Sequence, residues 1–303
     1  LGRIAGYPPQ QPVWSLNRFP TESELAHARY IIFTSRSRNS LPVHEKRIMF
    51  QLVDSHVHLD DRAFADDRAA VIERACLAGV DRMVVPAVDA GSWPKIRDLC
   101  ARHAGLYPAY GLHPMFLSQH APKHVEALSS WLNENHPVAV GEIGLDFHVD
   151  GLDRELQRHY FAGQLQLARE RDLPVIVHAR GALEEVTLTL RRSGRLRGVV
   201  HSFSGSEQQA RQLWAMGFHL GIGGPVTYER AQRLRRIVAQ MPIEFLLLES
   251  DAPDQSAAAH RGERNEPACV AEVLRCIAAL RGEPEAGIAA ATTANARRLF
   301  GLG

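Results

Sequence analysis

Eight short apolar runs punctuate the chain from residue 50 onward: FQLVDS (50–55), RMVVPA (82–87), LYPAYG (106–111), VAVGEI (138–143), PVIVHA (174–179), GVVHSF (198–203), FHLGIG (218–223) and FLLLES (245–250). Their brevity and their Val, Ile, Leu and aromatic content are those of buried strands. Between them lie stretches with helical periodicity, such as DDRAAVIERACLAG (66–79), LQRHYFAGQLQLARERD (156–172) and SEQQARQLWAMG (206–217). Short buried strands that alternate with helices pair in parallel, because each crossover helix returns the chain to the same end of the sheet. Eight such units in about 250 residues predict an α/β fold closed as a (β/α)8 or TIM barrel. An open doubly wound sheet is the alternative, although the glycine fingerprints of phosphate and dinucleotide loops are absent.

Residues 1–48 break this pattern. They contain GYPPQQP and SRSRNS, show no amphipathic period, and precede the first methionine, Met49. The expectation is that 1–48 is a disordered extension or a segment ahead of the natural start, and that 49–303 is the barrel domain.

A barrel concentrates its chemistry at the carboxyl ends of its strands. Here the first run leads into DSHVHLDD, and alternation along an extended chain turns His56 and His58 to one side, about 7 Å apart at the backbone. The third run leads into GLHP with His113, and the fourth carries Glu142. The fifth ends in His178 and Arg180, the sixth in His201, and the eighth in Glu249, Asp251 and Asp254. His56, His58, His178 and His201 with Glu142 and Asp251 form a mixed nitrogen and oxygen set suited to divalent metals. Six protein ligands are too many for one ion. They suit two ions that share a carboxylate and keep positions open for water and substrate.

Composition narrows the partners. The chain has 35 Lys and Arg against 34 Asp and Glu, a net charge of +1, so no global field draws it to a polyanion or a membrane and any such contact must be local. Four scattered cysteines (Cys76, Cys100, Cys269, Cys276) form no metal or disulfide framework and suit a reducing, by default cytoplasmic, compartment. No apolar stretch is long enough for a membrane span. A monomer is expected.

The motifs DSHVHLD, GLHP, VGEIGLDF, VIVHARG, HSFSGS, ESDAPD, RNEP and TTANARRLF, in this order across residues 50–301, resemble the TatD family of metal-dependent deoxyribonucleases, within the wider amidohydrolase-like barrels. The resemblance implies two divalent cations, Mg2+, Mn2+ or Zn2+. One would be held by His56, His58, Glu142 and Asp251, the other by Glu142, His178 and His201, with Glu142 between them. It places His113 and Arg180 near the substrate phosphate, and it implies single-stranded DNA as substrate, trimmed from the 3′ end. The family's usual ETD is ESD here, which keeps a hydroxyl at position 250. The continuation APDQSAAAHRGERNEP departs from the commoner APYL in a loop that should border the cleft.

In this mechanism the cations activate water and clamp the phosphate oxygens, Asp251 orients or deprotonates the water, and His113 and Arg180 neutralise charge. An amidohydrolase or small-molecule phosphoesterase on the same site is the alternative, disfavoured on the amide side because Glu142 stands where many two-metal amidohydrolases carry a carbamylated lysine. A non-enzymatic metal-binding protein is the third reading. Asp146 and His148 are candidates to support the ligands. Glu249, Arg264, Asn265 and Glu266 read as scaffolding around Asp251 or as substrate contacts. GIGG (221–224) reads as a turn rather than a phosphate nest, and ERAQRLRR (229–236) as a solvated helix face. His103, His120, His124, His136, His159 and His219 read as surface or packing residues.

Overall fold

The computed structural model describes residues 50–303. The expectations for residues 1–48 and for Met49 lie outside the described residues. Strands β1 (Leu52–Asp54), β2 (Val80–Pro86), β3 (Leu106–Tyr110), β4 (Ala139–Asp146), β5 (Val175–Arg180), β6 (Gly198–Val200), β7 (Phe218–Ile222) and β8 (Leu246–Leu248) pair in sequence order, every pair parallel. The helices are α1 (Arg68–Leu77), α2 (Trp93–Arg102), α3 (His124–Asn135), α4 (Arg154–Glu170), α5 (Leu183–Arg192), α6 (Glu207–Ala215), α7 (Gln232–Gln240), α8 (Val270–Arg281) and α9 (Glu285–Phe300). The eight expected runs are the eight strands. No helix among the described residues is long and apolar enough to cross a membrane.

Three strands are only three residues long, and the reason is chemical. The segments beyond β1, β6 and β8 carry His56, His58, His201 and Asp251, whose backbones leave the ladder to aim side chains inward. Side-chain bonds therefore help to join β8 to β1. Ser55 donates through N–H and hydroxyl to the Leu248 carbonyl (2.9 and 3.0 Å), and Asp54 accepts from the Ser250 N–H and hydroxyl (3.0 and 2.6 Å).

Alternate residues fill the barrel interior: Val53, Val84, Ala109, Ala139, Ile176, Val199 and Leu247 cluster with Ala296, Leu299, Phe300 and Leu302 from α9 and the residues after it. The last helix thus packs against the layer formed low in the strands. His219 is the β7 member at that level, since it pairs in register with Val199. The helix faces bury a larger outer cluster against the sheet.

Two glutamines on the buried face of α4 do more than pack. Gln157 accepts from the Asp146 N–H and donates to the Asp146 carbonyl (both 2.8 Å), and Gln164 does the same for Leu112 (2.7 and 3.1 Å). Each amide satisfies both backbone groups of one strand-end residue, so α4 fixes the segments that carry Asp146 and His113.

Candidate metal centre

The two carboxylate oxygens of Glu142 face two different sets of nitrogens. Oε2 lies 3.2 Å from His56 Nε2 and 3.5 Å from His58 Nε2, while Asp251 Oδ1 is 3.5 and 3.7 Å from the same two atoms. Oε1 lies 2.9 Å from His113 Nε2, 3.1 Å from His178 Nδ1 and 2.7 Å from His201 Nε2. Residues from six strand ends, far apart in the chain, thus meet around one buried carboxylate. A bulge in β4 between Val140 and Ile143 makes this possible, because it turns Glu142 into the mouth and sends its N–H to the Ala87 carbonyl (3.0 Å). Gly144, at φ +142°, lets β4 and β5 close behind it, since any Cβ there would strike the His178 carbonyl.

The hydrogen bonds behind each ring decide which nitrogen is turned inward. Met115 N–H donates to His113 Nδ1 (3.1 Å), so the ring proton sits on Nε2 and is donated to Glu142. His178 is wired in reverse. Its Nε2 donates to Asp146 Oδ2 (2.9 Å), which leaves the Nδ1 lone pair facing Glu142 and, at 3.2 Å, His201 Nε2. His56 and His201 stack at 4.0 Å, and the Nδ1 of each is buried without a partner.

Charge is unevenly distributed over these groups. Burial holds His113 down to about 4 and, with the His201 charge, holds His56 well below its ordinary value. Burial also opposes charge on His58 and His201, but the Glu142 carboxylate outweighs it and lifts them to about 9 and about 10. Burial works against the Glu142 carboxylate too, yet the facing imidazoles His113, His201 and His56 drive it well below its usual range. Asp251 is raised, chiefly by burial.

Further residues fix the frame. Asp54, fully buried and pushed up to about 7 by burial, accepts from the His56 N–H (3.1 Å) as well as from Ser250, so the Ser250 hydroxyl is a joint of the seam. Gln255 donates its amide N–H to Asp251 Oδ2 and accepts from the Ser202 hydroxyl (2.8 Å). All three residues of that chain have positive φ: Ser202 at 48°, Asp251 at 55° and Gln255 at 53°. Glu249 accepts from the Ser202 N–H, and its carboxylate occupies the space that a side chain at Gly221 would need. Asn265 donates to the Ser250 and Asp254 carbonyls (2.7 and 2.8 Å), while Arg264 and Glu266 pair with Asp67 and Arg74 on the outside; these residues brace the loop after Asp251.

The six expected ligands therefore come together, and His113 joins them. Asp146 supports His178 as the sequence allowed, whereas His148 is exposed and contributes only its N–H to Asp146 Oδ1 (2.9 Å). Arg180, the last residue of β5, is exposed and makes no hydrogen bond or ion pair with the cluster among the described residues. Asp54, Gln157, Gln164 and Gln255 do not stand out in the sequence. Polar residues on an apolar helix face, as at 157 and 164, are the readable signal. Gln255 has none, since its contacts arise only once the loop folds back.

The donor set suits divalent cations. His56 Nε2 and His58 Nε2 stand 3.1 Å apart, as His178 Nδ1 and His201 Nε2 do at 3.2 Å, and paired lone pairs at such distances repel unless a proton or a cation lies between them. Among the described residues, three groups bring their donor atoms close enough together to hold an ion: His56, Glu142 and His201; His56, His58 and Asp251; and His113, Glu142 and His178.

Comparison with known proteins agrees with this geometry. The family model described as TatD related DNase matches residues 53–301. YjjV of Escherichia coli K12, described as an uncharacterized metal-dependent hydrolase, is 40% identical over 256 residues, spanning 83% of this chain and 98% of that protein. The 3'-5' ssDNA/RNA exonuclease TatD of Salmonella typhimurium is 35% identical over 256 residues, spanning 82% of this chain and 98% of its own length. The crystal structure of YjjV superposes with a TM-score of 0.81 at 38% identity, covering 84% of this chain and 100% of that one.

Proposed function

The chain belongs to the TatD-related DNase family of metal-dependent hydrolases, and on that premise we propose that it removes nucleotides from the 3′ ends of single-stranded nucleic acid with the help of two divalent cations. The observation that carries this reading is the division of Glu142 between two donor sets, each oxygen facing its own histidines. His56, His58, Asp251 and Glu142 Oε2 would hold one ion; Glu142 Oε1, His178 Nδ1 and His201 Nε2 would hold the other. Histidine-rich ligation favours Zn2+ or Mn2+, and Mg2+ remains a member of the candidate set. Bound there, the ions supply Lewis acidity, polarising the phosphodiester and lowering the pKa of water.

The protein's own groups complete the site. Asp251 turns only Oδ1 inward, since Oδ2 is held by Gln255, and the Oδ1 lone pair that does not face the ion orients the attacking water and accepts its proton. His113, neutral and with its proton on Nε2, donates to a phosphate oxygen in place of Glu142. Its wiring to Met115 makes it a donor and not a ligand. Arg180, free at the rim, reaches the same phosphate from outside. Asp146 holds the His178 ring so that Nδ1 stays directed at the centre.

The test is release of nucleotides from 3′-labelled and 5′-labelled oligonucleotides by chelated protein after Mg2+, Mn2+ or Zn2+ is restored. Activity returns with metal, the label position reveals the polarity, and Glu142→Ala and Asp251→Asn abolish release while circular dichroism stays native. Undiminished cleavage by both variants would place the chemistry elsewhere.

A further inference from the structure

We propose that the barrel mouth carries a second anion-binding position, beside the metal centre, that holds a phosphodiester flanking the one being cleaved; it rests on the nuclease reading above. Beyond the ends of β6 and β7 opens a cavity of about 370 Å³ whose lining includes Phe203, Ile222 and Leu234 and whose only ionisable lining residues are Arg230 and Arg233. Other cavities among the described residues include acids in their lining. The large one between α4 and α5 sets Arg158 and Arg192 against Glu184 and Glu185, with Arg158 paired to Glu185, and the one beside Arg197 includes Asp172, its ion-pair partner. A cavity lined by cations alone is electrostatically unfinished, and an anion completes it.

Both guanidiniums keep donors to spare. Arg233 donates one N–H to the Ser204 carbonyl (2.8 Å), and Arg230 lies over the Tyr228 ring at 5.3 Å, which leaves its edge free. Neither is in an ion pair among the described residues. The loop beneath them is fixed, because the Tyr228 hydroxyl donates to the Ser256 carbonyl (3.1 Å) and Arg235 turns inward to the Val226 carbonyl (2.9 Å). A planar fork with free N–H groups on an anchored loop suits bidentate recognition of phosphate.

Position links this cavity to the reaction. Ser202, in its wall, directly follows His201, and its hydroxyl donates to Gln255, which donates to Asp251. One wall of the cavity is therefore part of the frame of the metal centre. The chain as a whole is close to neutral, so a polyanion is held only where cations gather. The Arg230 and Arg233 pair supplies such a place next to the scissile position. The run from 229 to 236 is then divided, with Arg235 structural and Arg230 and Arg233 directed to substrate.

The experiment compares Arg230→Ala/Arg233→Ala with wild type on two substrates in Mn2+: a labelled single-stranded oligonucleotide, and bis(p-nitrophenyl) phosphate, a diester too small to span both positions. The expected result is a KM for the oligonucleotide raised about tenfold, with kcat changed far less and a smaller effect on the small diester. The dependence of log affinity on log salt flattens by about 0.7 for each phosphate that the variant no longer neutralises; the double Arg→Lys variant restores the salt dependence but only part of the affinity, because an ammonium lacks the bidentate fork. An unchanged oligonucleotide KM and salt dependence, or an equal loss on both substrates, overturns the proposal. Wild-type protein that turns over the small diester but no oligonucleotide overturns the nuclease reading, and this position with it, a pattern distinct from failure of the position alone.

Discussion

Asp251 has two carboxylate oxygens with different tasks. Oδ2 is occupied by the Gln255 amide, and Oδ1 is left to face His56 and His58. An isosteric apolar side chain at 255 would let the carboxylate rotate, so Gln255→Leu is expected to weaken Mn2+ binding about tenfold in calorimetric titration while leaving the melting temperature of the chelated protein near wild type. Equal affinities would show the amide to be a bystander. Ser250 makes a different prediction. Its hydroxyl donates to buried Asp54 and accepts from the Ala252 N–H (3.1 Å), so Ser250→Ala strips a buried carboxyl of its donor and costs about 1–3 kcal/mol in urea unfolding, whereas Ser250→Thr keeps the hydroxyl and most of the stability. Position 250 was legible as a place for a hydroxyl. Its partner Asp54 was not, because nothing in DSHVHLDD says which of its acids faces inward and which faces water.

At the scale of elements, the strands were readable because each is built on a short, largely apolar and mostly buried run bounded by helical stretches. Their ends were less so. GVVHSF reads as six residues of strand, yet β6 stops after Val200, since His201 must leave the ladder to reach Glu142. The bulge at Val140–Ile143 is likewise invisible in VAVGEI, where only the glycine hints at a departure from regular pairing. His219 shows a strand tolerating a polar side chain. Burial, with the Arg298 charge nearby, depresses it from 6.5 to about 4. Between those two pH values the unfolded chain takes up a proton that the folded one refuses, so stability falls as pH drops through that window, by about 3 kcal/mol at most. His219→Asn, which keeps a donor for the Gly198 carbonyl, is expected to flatten that part of the pH profile of urea unfolding; an unaltered slope would assign the acid sensitivity to other groups.

For the molecule as a whole, the barrel followed from the count and spacing of its strands. The clustering of histidines and carboxylates at the mouth followed from where they stood relative to the strand ends. Neither inference needed contacts that only folding creates, which is why the cluster was legible and Gln255 was not. A site that gathers charge before it gathers metal also links binding to stability. Mn2+ at a hundred times its dissociation constant should add about 2.7 kcal/mol, raising the melting temperature by roughly 5–10 °C, and Glu142→Ala should abolish that increment. A melting curve indifferent to chelation would contradict it.

The last helix with the residues after it, through Leu299, Phe300 and Leu302 packed against the lowest layer, makes the barrel a cup and not a pipe. A polymer cannot be drawn through it. On the proposed nuclease reading, a strand that dips to the carboxylates must withdraw by the opening it entered, and each severed unit departs past its own parent, so traffic at a single doorway would set how fast successive cuts can follow one another.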